Sequence, residues 1–312
     1  YYYVLFNEVK MSFTTEIKKE ILSFPMRNDT ERIALLSGFI RNNATWEEDK
    51  LVLSSENKEV IDYLGEQLKE EDLEYYTEVK SGNNFSKNNL YRIVISKNIE
   101  QLLTKIAYQK ETPPFYLVGE EEEARCYIRG VFLNGGSVND PKTSRYHMEI
   151  VIDYPEEAVF VQKLLNQFDL NAKLLNREKG YMVYLKEAEK ISDFLKILGT
   201  SKAVLYFEDI RVYHEKKNET NRLNNCEQAN TDRIVSTALE QLKQIEMIRK
   251  NAAFDLLDDK TKEALIYREK YKEASLKELS EIISLETGKK ITKSGLNHRF
   301  RKIKELAKKI EE

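Results

Sequence analysis

Only two cysteines, Cys126 and Cys226, occur in 312 residues, and they stand a hundred positions apart with no second ligand at metal-binding spacing. That excludes a zinc finger and a disulfide framework and fits a reducing compartment. Histidine is as scarce, with His147, His214 and His298 scattered singly. No apolar run approaches the roughly 20 residues needed to cross a bilayer. The opening YYYVLFNEVK carries Glu8 and lacks the basic start of a signal peptide. A phosphate-cradling glycine loop, a nucleophile elbow and a Cys/His pair at motif spacing are missing too. Enzymatic activity, a cofactor and a membrane are therefore not expected.

What is present is charge: 33% of residues are charged against 41% hydrophobic, enough apolar matter for buried cores in two domains. The net charge of −3 hides an uneven distribution. Asp258 to Glu312 holds fifteen basic and eleven acidic residues, an excess of four positive charges, which leaves the remainder near −7. Within that segment, Lys289 to Lys309 carries nine basic residues against the single acid Glu305. A nucleic-acid partner is thus expected at the C-terminus.

That region is patterned as well as basic. In SLKELSEII, Leu276, Leu279, Ile282 and Ile283 recur at helical spacing, and Ser275 with Glu278 forms a capping box. Gly288 is a helix stop, Thr292 an N-cap, and a second helix runs to about Ile310. Leu296, Phe300, Ile303, Leu306 and Ile310 mark its inward face. The pair reads as a helix-turn-helix. Lys289, Lys290, Lys293, Ser294, Asn297, His298, Arg299, Arg301, Lys302 and Lys304 are the candidate DNA-binding residues. Lys293, Ser294, Asn297 and His298 are assigned to base edges and capping, and Arg299, Arg301, Lys302 and Lys304 mainly to phosphates. A solvated Lys-rich surface helix would share the charge; the capped helix ahead of it and the one-sided distribution favour DNA.

The long N-terminal part repeats itself. ERIALLSGFIRNNATW (Glu31 to Trp46) and EEARCYIRGVFLNGGSV (Glu122 to Val138) lie about 92 residues apart with Gly38 and Gly130 in register. Each is followed by strand, helix, two strands and a closing helix, so that repeats of about 11–110 and 118–214 are expected. A glycine inside an apolar helix costs up to about 1 kcal/mol relative to alanine. Two in register point to close backbone approach of one helix on the other, across a pseudo-dyad.

These motifs resemble two known arrangements. Leu36–Ala44 and Ile128–Gly136 are similar to the paired helices of LAGLIDADG homing endonucleases, and their union with ITKSGLNHRFRKI and RLNNCEQANTDR resembles the bacterial WhiA family. The resemblance implies an α+β chain: a two-fold pseudo-symmetric LAGLIDADG-like repeat domain over 11–214, then an all-α helix-turn-helix domain over 233–312 of the sigma region-four type. It also implies a cytoplasmic, nucleoid-associated regulator of transcription linked to sporulation, cell division and chromosome segregation. At the positions where the endonucleases hold a divalent metal, this sequence has Asn43 and Gly135, neither of which supplies negative charge. Glu47, Glu48, Asp49 and Asp140 lie beyond the helix ends and read as solvated turn residues. A residual metal-dependent endonuclease and a protein-binding adaptor with an incidental basic helix are the alternatives.

The sheets that form the endonucleases' DNA saddle would here carry Lys80, Arg92, Lys173, Arg177 and Lys186, diluted by Glu78, Glu178 and Glu187. Weak, salt-sensitive duplex contact or a protein partner is the expected use of that surface. Residues 215–232, polar and Asn-rich, read as a linker, with Thr231 capping a helix from Asp232 and Cys226 packed as a small residue. Residues 1–10 read as a disordered extension ahead of the fold.

Overall fold

A computed structural model describes residues 11–81, 89–143 and 145–311; the expectation for residues 1–10 lies outside them. The chain divides between His214 and Glu215 into two compact units.

The first unit begins with α1 (Phe13–Leu22), capped by Ser12, whose Oγ accepts from Thr15 N at 3.2 Å. Then come α2 (Asp29–Asn43), β1 (Thr45–Glu47), β2 (Lys50–Ser55), α3 (Lys58–Leu68), β3 (Glu74–Lys80), β4 (Leu90–Lys97) and α4 (Ile99–Lys105). A 3-10 turn at Phe115–Leu117 leads into α5 (Glu121–Gly135). The scheme then recurs as β5 (Gly136–Val138), β6 (Met148–Ile152), α6 (Pro155–Gln167), β7 (Lys173–Asn176), β8 (Tyr181–Leu185) and α7 (Ala188–Leu198). Both sheets are antiparallel and share one order, β1-β2-β4-β3 and β5-β6-β8-β7. The expected repeat is therefore real, although the short strands β1 and β5 gave no sequence signal. Three residues are too few to show alternation.

α2 and α5 cross at the centre and are buried around most of their circumference. Their approach is set by the two glycines. A Cβ on Gly38 would stand 2.2 Å from Tyr127 O, and one on Gly130 would stand 2.1 Å from Leu35 O. No side chain fits at either position, which accounts for paired glycines inside otherwise apolar helices. The 92-residue offset extends to the polar contacts. Ser37 Oγ donates to Ile106 O at 2.9 Å, and Arg129 Nε, 92 residues on, donates to Leu198 O at 2.9 Å.

α8 (Ser201–Lys250) is a single 50-residue helix. Residues 215–232, expected as a linker, lie inside it, and so does Thr231, expected as a cap. Asparagine and threonine lower helix propensity, but neither glycine nor proline occurs between Gly199 and Gly288, so nothing in the sequence forces a break. Every side chain from 215 to 233 is exposed. Cys226 is accordingly exposed rather than packed.

The second unit holds the C-terminal part of α8, a 3-10 turn at Ala253–Leu256, α9 (Asp259–Lys270), α10 (Leu276–Thr287) and α11 (Lys293–Glu311). Ile245, Ile248, Leu265, Leu279, Ile283, Leu296, Phe300 and Ile303 form its core. An α+β repeat domain followed by an all-α domain is the architecture.

Candidate nucleic-acid interface

Local chemistry builds the α10–turn–α11 unit one cap at a time. Ser275 N donates to Glu278 Oε2 at 2.7 Å while Glu278 N donates to Ser275 Oγ at 3.2 Å, so the capping box forms as read. These amide and hydroxyl groups hold the Glu278 carboxyl below its ordinary value. Gly288 ends α10 at φ +69°, with nothing within 4 Å of a would-be Cβ, so backbone conformation alone favours glycine there. Ile291 N donates to Ser284 Oγ at 2.9 Å, tying the turn back onto α10. Thr292 Oγ1 then accepts from Gly295 N at 3.1 Å and starts α11.

The inward face of α11 consists of Leu296, Phe300, Ile303 and Ala307, with Leu306 and Ile310 partly buried. Beneath it lies Arg268, 1% exposed, with its guanidinium 5.5 Å from the Phe300 ring centroid. Its Nη1 donates to the carbonyls of Tyr271 and Ala274, bracing the connection between α9 and α10. Burial lowers the pKa of this guanidinium.

The ten candidate residues separate into two groups. Lys289, Lys290, Lys293, Ser294, Asn297, His298 and Arg301 are exposed, and none of their side chains is held by a described residue. At roughly 100° per residue, Ser294, Asn297, His298 and Arg301 form one ridge at spacings of three and four. The other three turn back onto their own domain. Arg299 Nη1 donates to Lys260 O at 3.1 Å and to Glu263 Oε2 at 3.0 Å, with only 16% of its side chain exposed. Lys302 Nζ donates to Asp258 Oδ2 at 2.9 Å, and Lys304 Nζ to Glu240 Oε1 at 2.8 Å. The Lys302 ammonium holds the Asp258 carboxyl down to about 2. Lys304 likewise lowers Glu240.

In the first unit, the ends of α2 and α5 are closed by neutral groups. Asn43 Nδ2 donates to Asn134 Oδ1 and to Ser54 O, both at 2.8 Å, and Asn134 Nδ2 donates to Asn42 O at 2.7 Å. A Cβ on Gly135 would stand 2.3 Å from Val151 O. Lys18 Nζ donates to Leu133 O at 3.0 Å beside this end of α5, and burial pushes its pKa down to about 8. Among the described residues no group of three His, Cys, Asp or Glu side chains is placed to hold a metal ion. Of the acids expected in turns, Glu47 instead ends β1 and pairs with Arg92, and Asp140 Oδ1 accepts from Tyr206 Oη at 3.1 Å.

Family models for the WhiA LAGLIDADG-like domain and the WhiA C-terminal HTH domain match residues 124–217 and 220–307. A probable cell division protein WhiA from Bacillus cereus is 40% identical over 311 residues, covering 96% of this chain and 97% of that one. The chain belongs to the WhiA family. The corresponding Bacillus cytotoxicus protein is 39% identical over 318 residues, again with 96% and 97% coverage. Among solved structures, full-length DUF199/WhiA from Thermatoga maritima matches at a TM-score of 0.60 and 23% identity, covering 96% of this chain and 99% of that one, which shows the shared fold.

Within this WhiA-family fold, the saddle cations are largely spoken for. Arg92, 3% exposed, bonds both Glu47 and Glu78, and Lys80 lies 3.5 Å from Glu47. Arg177 Nη2 stands 3.0 Å from Glu149 Oε2. Lys173 and Lys186 remain exposed. The sequence offers Glu78 as a diluting acid and Glu47 as a turn acid without revealing that both hold Arg92, because those pairings cross from one strand to another. No described helix is long and apolar enough to cross a membrane.

Proposed function

We propose that this chain is a non-enzymatic DNA-binding regulator acting in cell division, with the α11 ridge as its reader of duplex DNA. The observation that carries the reading is the ridge of Ser294, Asn297, His298 and Arg301, exposed, without side-chain partners among the described residues and flanked by the exposed Lys289, Lys290 and Lys293. Asn and Arg are the side chains suited to bidentate contact with adenine and guanine edges in a major groove, and the lysines suit phosphates. Arg299 serves in this reading to position α11. The relatives' name, probable cell division protein, supports the cellular role. Transcriptional control, chromosome segregation, sporulation and a nucleoid-associated, cytoplasmic location are the finer parts of the same proposal. A protein partner on the first unit accompanies them.

The absence of catalysis belongs to this proposal as well. A metal-dependent cut needs carboxylates at the ends of α2 and α5, where this chain has Asn43 bonded on three sides and Gly135 packed against backbone. Fluorescence anisotropy of labelled duplexes against the full chain, over a salt series, tests the reading. Asn297→Ala and Arg301→Ala should each weaken binding by about 1–3 kcal/mol on a preferred sequence, with relaxed discrimination. Equal binding by wild type and both variants at unchanged melting temperature would overturn it.

A further inference from the structure

α11 carries two further cations that extend its ridge. Lys304 lies three residues beyond Arg301, continuing the row through Asn297, and Lys302 lies four beyond His298. Neither ammonium is free. Glu240, on α8, holds Lys304 at 2.8 Å, and Asp258, the N-cap of α9, holds Lys302 at 2.9 Å.

We propose that Glu240 and Asp258 form an internal brake on duplex binding, occupying the two ammonium groups that would otherwise lengthen the phosphate-binding row of α11. The inference rests on the DNA reading above and concerns its regulation.

Exposure separates these two pairs from the third. Arg299 and Glu263 have side chains only 16% and 26% exposed, so that pair is a fixed part of the packing. Lys304 and Glu240 are 63% and 57% exposed, and Lys302 and Asp258 are 48% and 49% exposed. Ion pairs this open to water are worth at most about 1 kcal/mol. A DNA phosphate arriving at the ridge therefore competes with each acid on near-equal terms. Where the duplex fits closely, the phosphate displaces the carboxylate and recruits the lysine. Where it fits loosely, the lysine stays with its acid and adds nothing to the attraction. The brake thus lowers sequence-independent attraction more than specific binding and widens the margin between them. Neutral pH leaves it engaged, because both carboxyls are held below their ordinary values by their lysines. It answers to ionic competition.

The test uses the full chain and a duplex of arbitrary sequence, with anisotropy read across a potassium chloride series. Glu240→Gln removes the charge at an exposed site. Asp258→Asn removes it while keeping a side chain that caps α9, since asparagine is as good an N-cap as aspartate. Each variant should bind roughly twofold to fivefold tighter, with the logarithmic salt slope steeper by about one unit for the lysine released. In a Lys304→Gln background, Glu240→Gln should give less than a twofold gain, whereas general repulsion by a carboxylate would act with or without the lysine. Unchanged or weaker binding by both variants at wild-type melting temperature overturns the brake, as does an undiminished gain in the Lys304→Gln background. If a variant melts lower, the comparison of Lys304→Gln alone with wild type decides: the brake requires nearly equal binding to the arbitrary duplex, and a loss of tenfold or more overturns it. Wild type without salt-dependent duplex binding would overturn the DNA reading itself, and the brake with it.

Discussion

Gly38 and Gly130 face each other's helices so closely that a methyl group on either would meet a backbone carbonyl oxygen, of Tyr127 at 2.2 Å or of Leu35 at 2.1 Å. Alanine at either position gains helix propensity but must push α2 and α5 apart. Gly38→Ala or Gly130→Ala should destabilise the first unit by about 2–3 kcal/mol net. Gly65, inside α3, supplies the contrast, since a Cβ there meets nothing nearer than Tyr75 Oη at 3.9 Å. Gly65→Ala should stabilise by about 0.5–1 kcal/mol. Urea unfolding of the three variants checks both signs.

Glu157 offers a second test of the core. Its carboxylate takes Arg41 Nε at 3.1 Å, the Tyr127 hydroxyl and Asn42 Nδ2, and both charged side chains are about nine-tenths buried or more. Glu157→Ala leaves the Arg41 guanidinium buried with only the carbonyls of residues 107–111 as acceptors. A loss of about 3–5 kcal/mol is expected in chemical denaturation. Exposed Glu156→Ala, on the same helix, should change stability by less than about 0.5 kcal/mol.

Lys18 makes stability depend on alkaline pH. Burial lowers its pKa from 10.5 to about 8, so between those values the unfolded chain binds more protons than the folded one. Stability should therefore rise with pH as this group titrates, beginning near pH 8. Cys126 works the other way, because burial pushes its thiol up from 9.0 to about 11, and its contribution is lost above about pH 9. The clean window is pH 8 to 9. There the unfolding free energy of wild type should climb relative to Lys18→Met, and parallel curves would remove Lys18 as the cause.

Arg299 and Arg301 sit two residues apart on α11 and should fail differently. Arg299→Ala loses Glu263 and Lys260 O and should lower the melting temperature by several degrees, from about 1 kcal/mol of lost stability. Arg301→Ala should leave melting unchanged and weaken duplex binding. Differential scanning calorimetry beside anisotropy separates the two, and the reverse pattern would exchange their roles.

The features legible in the sequence are those with local causes. The Ser275–Glu278 box spans four residues, Gly288 ends its own helix, and Leu296, Phe300 and Ile303 announce a face by spacing alone. The repeat was legible because Gly38 and Gly130 share a register. The hidden part is long-range. Glu240, Asp258 and Glu263 reach their α11 partners across 64, 44 and 36 residues, and no periodicity links a surface acid to a distant lysine. Nothing in the composition of α11 distinguishes Arg299, tied down, from Arg301, exposed. The helix through 215–232 escaped for another reason: asparagine suggests a turn, while continuity across it depends on the well-packed helical segments on either side.

Gly135 has a consequence for the history open to this chain. At Gly135, the position that the sequence resemblance matches to a metal-holding acid of LAGLIDADG homing endonucleases, Val151 O occupies the space that any side chain would need, at 2.3 Å from a would-be Cβ. A mutation to aspartate would meet the backbone of β6 before it could meet a cation. Strand and helix would have to separate first, at the expense of the sheet that buries Ile150 and Ile152. The closed packing thus acts as a lock: no single substitution at this position can place a carboxylate there while strand and helix stay in contact.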